Sequence, residues 1–223
     1  MKNSTLKAFI NFSFWTAISR VVGLLRDVLL AASLGAGPVS DAFFVAFKLP
    51  NMFRRLVAEG ALVQSFLPTF SFIEETNSKI QAQEFASYVQ SVILIVLLAI
   101  FIIAEIFMSY LIIGLAPGFI KNQEVLETAT NFARATIIYL PMLSVIAIWG
   151  SILQHSGKFM PSAASPIILN LSLISASLIF LSGHFPYDII ALSVPIAGIL
   201  QLLFLVFWLH KVRRIPKIII PNN

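Results

Sequence analysis

The feature that most limits what this chain can become is the run FASYVQSVILIVLLAIFIIA at 85–104, twenty residues without one charged side chain. At about 1.5 Å of rise per residue such a run coils to about 30 Å, the hydrocarbon thickness of a bilayer. Several other windows of similar length are almost as bare. With 58% apolar and 11% charged residues and a mean hydropathy of +0.92, the chain fits neither a soluble nor a disordered protein. It reads as an all-α integral membrane protein, because the short alternating segments of a transmembrane barrel are absent. The absence of cysteine excludes disulfides, thiolate metal sites and thiol catalysis.

Six spanning segments are expected, at about 8–34, 40–70, 87–115, 128–153, 162–182 and 187–209, forming one membrane domain over 1–223. Turn chemistry separates them: GAGPVS at 35–40, EETNSK at 74–79, APGFIKNQ at 116–123, HSGKFMP at 155–161 and SGHFPYD at 182–188. An even number of crossings puts both termini on one side. That side holds Lys2, Lys7, Lys79, Lys158, Lys211, Arg213, Arg214 and Lys217, against Lys121 alone on the other. Positive charge accumulates in cytoplasmic loops, so both termini are expected in the cytoplasm. The same bias accounts for the net charge of +5 without nucleic acid as a partner. Lys2 and Lys7 followed by an apolar run resemble a signal peptide, but Arg20, Arg26 and Asp27 interrupt that run, and the N-terminus is expected to be retained.

The remaining cations lie inside the spans: Arg20, Arg26, Lys48, Arg54, Arg55 and Arg134, all but the last in the first two segments. Asp27 and Glu59 join them there, with Asp41 at a segment end. A mid-membrane Arg, Lys or Asp costs about 2.5–3.5 kcal/mol on insertion scales, so seven facing lipid would cost on the order of 20 kcal/mol. That exceeds the margin by which proteins are folded. These side chains must face one another, water or a polar ligand.

Helical spacing offers such a face. At about 100° per residue, Arg20, Gly23 and Asp27 share one stripe, and Asp41, Lys48, Arg55 and Glu59 nearly share another. Arg26 and Arg54 fall off these ideal stripes, although Pro50 is expected to kink or unwind the second segment and Gly23 to let the first bend. Within the pair of segments the cations exceed the anions by three, and an anionic ligand follows. Arginine dominates, and its planar fork suits phosphate or carboxylate.

Other polar residues carry weaker signals. His155, His184 and His210 are far apart and lack metal-ligand spacing. Glu105 reads as a proton-coupling group or an interhelical contact, and Arg134 as a snorkelling or locally paired cation. Asn170, with Ser162, Ser165, Ser172, Ser175 and Ser177, reads as small-polar helix packing. No Ser-His-Asp set, P-loop or HExxH pattern is present, and the acidic cluster needed for metal-assisted phosphoryl transfer is missing, so no enzymatic activity is expected.

SRVVGLLRD at 19–27, DAFFVAFKLPNMFRRLVAEGALVQSFLPTFSF at 41–72 and SILQHSGKFMPSAASPIILN at 151–170 resemble the MurJ (MviN) family of lipid II flippases. That family belongs to the multidrug, oligosaccharide-lipid and polysaccharide exporters. The likeness runs along the whole chain in order and is densest over 19–72. It implies two pseudo-symmetric bundles of six helices flanking a central cavity, with two extra helices at the C-terminus. The implied function is to carry undecaprenyl-pyrophosphate-linked peptidoglycan precursor across the bacterial inner membrane by alternating access. By motif, Arg20, Arg26 and Arg54 become the pyrophosphate-binding residues. Asp27, Asp41 and Glu59 match acidic positions, with Lys48 and Arg55 as further cavity charges. Ideal periodicity favours Arg55 over Arg54; the motif favours Arg54, and Pro50 weakens the straight-helix count.

The chain ends at IPKIIIPNN, after the sixth expected span, and so corresponds to the first lobe of such a flippase. A further cavity arginine and any ion-coupling residues would lie in the other half; no cofactor is identified. The expectation is a fragment, a truncated product or one piece of a split transporter, unable to flip lipid II without a second lobe or a second chain supplying it. Alternatives are an exporter of another polyprenyl-linked glycan and a non-transporting membrane protein.

Overall fold

The computed structural model describes residues 2–57 and 61–218, with side chains from residue 10 onward except 11, 55–57 and 61. The described residues are mostly helical, without strands. In chain order they form α1 (Lys2–Leu34), α2 (Pro38–Val57), α3 (Ala61–Thr76), α4 (Lys79–Ile106) and α5 (Met108–Leu115), then a 3₁₀ turn at Pro117–Lys121, then α6 (Gln123–Ile137), α7 (Tyr139–His155), α8 (Phe159–Leu181) and α9 (Asp188–Val212).

Six uninterrupted helices are therefore not what the chain forms. Among the described residues, the expected segment 87–115 falls in α4 and α5, and 128–153 in α6 and α7, while residues 58–60, between α2 and α3 in the expected segment 40–70, lie outside them. The break at Ile138 has a local cause, since Pro141 has no N–H to give the carbonyl of Ile137 and its ring crowds that carbonyl. At Phe107 the hydrogen bonds continue on both sides, Phe107 N to Ile103 O at 3.1 Å and Leu111 N to Phe107 O at 3.0 Å, so that interruption is slight. Pro50 lies inside α2, whose helical turns run on to Val57; of the kink or unwinding expected there, the unwinding does not occur. Pro68, Pro166 and Pro195 are likewise inside helices. α4 starts eight residues before the expected boundary because Ser78 caps it, accepting from Gln81 N at 3.2 Å.

Among the described residues, α4, the continuous stretch Gln123–His155, α8 and α9 are long and apolar enough to cross a membrane. Their burial differs with position. Only 22% of the apolar stretch of α4 is buried, against 78% for Gln123–His155. Ile95, Ile102, Ile103 and Ile106 stand more than half exposed on α4, a surface that suits lipid and would be a liability in water. Gln123–His155 is instead the central strut, contacted by α2, α3, α4, α8 and α9.

Aromatic packing sets α2. Phe43 lies edge-on to Phe132 of α6 at 5.9 Å and stacks on Phe47 at 5.6 Å. Ala42, Phe43, Ala46 and Phe47 are buried against this neighbour, leaving Phe44 and Lys48 exposed on the other side. α1 lies against α8 and barely touches α2. Gly23 permits this approach, for a Cβ there would stand 3.3 Å from Asn170 Nδ2. Asn170 Nδ2 donates to the carbonyl of Ser19 at 3.2 Å, fixing α1 along α8.

The chain after α9 folds back. Arg213 N bonds to His210 O and Arg214 N to Leu209 O, both at 3.1 Å, the paired bonds of a Schellman end with Arg213 left-handed at φ 56°. α7 ends in the same way at Gly157, φ 74°, where the left-handed conformation carries no Cβ penalty. The turn at Arg213 delivers Arg214 to Glu74 of α3, which receives Nη2 at 2.7 Å and Nη1 at 2.5 Å. Lys217 N then donates to Ser87 Oγ of α4 at 2.9 Å.

Candidate functional site

A cavity of about 1060 Å³ is lined mainly by α1, α2, α7, α8 and α9, with Val63 of α3 and Leu115 of α5. Four cations line it: Arg20 and Arg26 from α1, Lys48 and Arg54 from α2. The burial of Phe43 and Phe47 against α6 turns Lys48 inward, and the Asn170 bridge holds α1 so that Arg20 and Arg26 look into the same space. Arg26, off the ideal stripe, reaches the cavity on its long side chain.

The anions are placed differently. Asp27 is not on the cavity wall; its Oδ1 receives both Arg26 Nε at 3.0 Å and Arg26 Nη2 at 2.8 Å. Its side chain is 58% exposed, against 19% for Arg26. Asp41 lies exposed in the first turn of α2, where a carboxylate complements the positive end of the helix dipole, and it is also absent from the lining. Gly23 of the expected stripe faces α8 rather than the cavity. The side chain of Arg55, and Glu59 altogether, lie outside the described residues.

The opposite wall is uncharged and sets polar side chains among apolar ones. Asn170, Ser162 and Ser165 of α8 read from spacing as helix packing. Asn170 does pack, and all three also line the cavity. Gln201 of α9 is 2% exposed with both ends engaged, Oε1 accepting from Tyr139 OH at 2.7 Å and Nε2 donating to Ser165 O at 2.8 Å. Gln154 Nε2 donates to Ser162 Oγ at 2.9 Å. A single Gln or Tyr in an apolar span gives no sequence signal of its own; the 162, 165, 166, 169, 170 spacing on α8 is the one pattern that marks a common face. Elsewhere, Glu105 of α4 meets Arg134 of α6 at 3.6 Å, the interhelical pairing among the expected roles.

The chain is a helical membrane bundle around a cation-lined cavity, a fold that solved structures share. An outward-facing multidrug resistance MATE family transporter of the MOP superfamily shares the fold, with a TM-score of 0.74 at 19% identity over 97% of this chain and 49% of that one. The lipid II flippase MurJ in its inward closed conformation matches with a TM-score of 0.76 at 28% identity, over 91% of this chain and 42% of that one. The family model for lipid II flippase MurJ matches residues 30–222, and the chain belongs to that family. The probable lipid II flippase MurJ of Buchnera aphidicola subsp. Acyrthosiphon pisum is 35% identical over 218 residues, 97% of this chain and 42% of that protein. That of Rickettsia prowazekii is 39% identical over 201 residues, 89% of this chain and 39% of that protein. The chain thus spans about two fifths of the length of these relatives.

Proposed function

We propose that this chain forms the N-terminal lobe of a lipid II flippase in the bacterial inner membrane, with both termini in the cytoplasm. Arg20, Arg26 and Arg54 hold the substrate pyrophosphate, and Lys48 and Arg55 add to the positive field. The observation that carries this reading is the convergence of Arg20, Arg26, Lys48 and Arg54 on one cavity inside a bundle that bares apolar helices. Guanidinium forks bind phosphate oxygens bidentately, and the opposite charges strengthen each bond. Asp27, Asp41 and Glu59 moderate the grip, because a site that binds too tightly traps its cargo. No bond is made or broken; the headgroup crosses inside the cavity while the polyprenyl tail stays in lipid.

The nine α-helices among the described residues make six crossings in this reading, with α2 and α3, α4 and α5, and α6 and α7 each paired in one passage. Alternating access requires two bundles rocking about a site. Since the relatives extend well beyond the matched region, transport depends on a second lobe, in the same or another chain.

The test is a chimera in which this chain replaces the matching part of a full-length relative, expressed in cells depleted of their own flippase. The chimera is expected to restore growth, and Arg26→Ala or Arg54→Ala to abolish it at equal membrane abundance. Undiminished growth with both substitutions would remove the arginines from the mechanism.

A further inference from the structure

The cavity is divided by charge. Its cations come from α1 and α2, whereas the wall built by α7, α8 and α9 presents amides and hydroxyls without any charged side chain among its lining residues. Such groups are expensive to keep in a membrane protein interior unless bonded, and most of these are bonded to one another. The Tyr139–Gln201–Ser165 chain links three helices, so the wall is rigid.

Three groups on it keep bonding capacity. Asn170 is 7% exposed, and its Nδ2 is committed to Ser19 O, while Oδ1 accepts no hydrogen bond among the described residues. Ser165 is 3% exposed, and its hydroxyl is buried without a partner among the described residues. Gln154, beside the break between α7 and α8, spends Nε2 on Ser162 and keeps its carbonyl. Helix packing alone accounts for the Asn170 Nδ2 bond but not for the uncommitted oxygens beside it.

We infer that this neutral wall, through Asn170, Ser165 and Gln154, is the specificity surface for the uncharged part of the headgroup, the hydroxyl and acetamido groups of a glycan on the pyrophosphate. This rests on the proposed polyprenyl-pyrophosphate site and divides it in two. The arginines take the charge common to all such lipids. The amides, each both donor and acceptor, distinguish a sugar-bearing lipid from a bare one, because a site built of hydrogen-bonding groups rejects a ligand that leaves them unpaired.

The test measures binding to the purified chain in nanodiscs with two probes, undecaprenyl pyrophosphate and the same lipid carrying an acetamido disaccharide. The unsubstituted protein is expected to prefer the sugar-bearing lipid five- to tenfold. Gln154→Ala and Ser165→Ala each erase most of that preference and leave affinity for the bare pyrophosphate within twofold. Neither substitution removes the Asn170 bridge that holds α1 along α8. Equal weakening toward both probes, or no preference in the unsubstituted protein, overturns the inference and leaves the pyrophosphate site standing. Failure to bind either probe overturns both.

Discussion

Arg26 and Asp27 are adjacent, and adjacent side chains on a helix diverge by about 100°, yet two nitrogens of Arg26 converge on one oxygen of Asp27. The result is a cation that reaches the cavity already half neutralised. Asp27→Asn frees it, and pyrophosphate affinity is expected to rise roughly three- to tenfold with a steeper loss on adding salt, corresponding to about 1 kcal/mol for a partly exposed pair. Weaker binding by this variant in a lipid-binding titration would show that Asp27 orients Arg26 rather than restraining it. The presence of a charged cavity is legible in the sequence, since the cost of Arg20, Arg26, Lys48 and Arg54 in lipid demands one. Which neighbour each cation meets is not legible, because it depends on side-chain reach: Arg26, off the stripe, lines the cavity and Asp27, on the stripe, does not.

Helix existence follows from apolar length, which is why α8 and α9 lie within a few residues of their expected bounds. Interruptions follow from single residues, and only Ile138, with Pro141 behind it, leaves a readable cause. The return of the chain after α9 is unreadable from local pattern, for Glu74 and Arg214 are 140 residues apart. Their contact has consequences that can be measured. The hydrogen bond from Arg214 holds the Glu74 carboxyl below its ordinary value of 4.5, burial opposing and the nearby charges of Arg214, His155 and Lys79 assisting. A lowered folded-state value means that this contribution to stability is fully present above the ordinary carboxylate range and is lost as pH falls through the lowered value. Glu74→Gln is expected to cost about 1–3 kcal/mol near neutral pH and to flatten the acid limb of thermal melts in detergent; an unchanged acid limb would assign that limb to other groups. At the turn itself, Arg213 adopts a left-handed conformation that costs a side-chain-bearing residue about 1–2 kcal/mol, against about 0.5–1 kcal/mol for the extra chain entropy of glycine. Arg213→Gly is therefore expected to stabilise by roughly 0.5–1 kcal/mol in the same melts, and destabilisation would show that the Arg213 side chain holds the turn.

For the molecule as a whole, the proposed anionic lipid headgroup draws on two independent supports, family membership and the cationic cavity. Composition establishes the membrane setting, and the spacing of charges establishes that something polar lies within. The neutral wall on α7, α8 and α9 becomes visible only when the three helices are brought together, because Tyr139 and Gln201 are isolated in apolar runs and Gln154 stands at the end of another. The most direct measurement is the affinity of the purified chain in nanodiscs for undecaprenyl pyrophosphate relative to undecaprenol, with and without the paired substitution Arg20→Ala and Arg54→Ala. A preference for the pyrophosphate of tenfold or more, erased by the paired substitution, is the predicted result. Equal affinity for the two lipids, or a preference that survives the loss of both arginines, would contradict it.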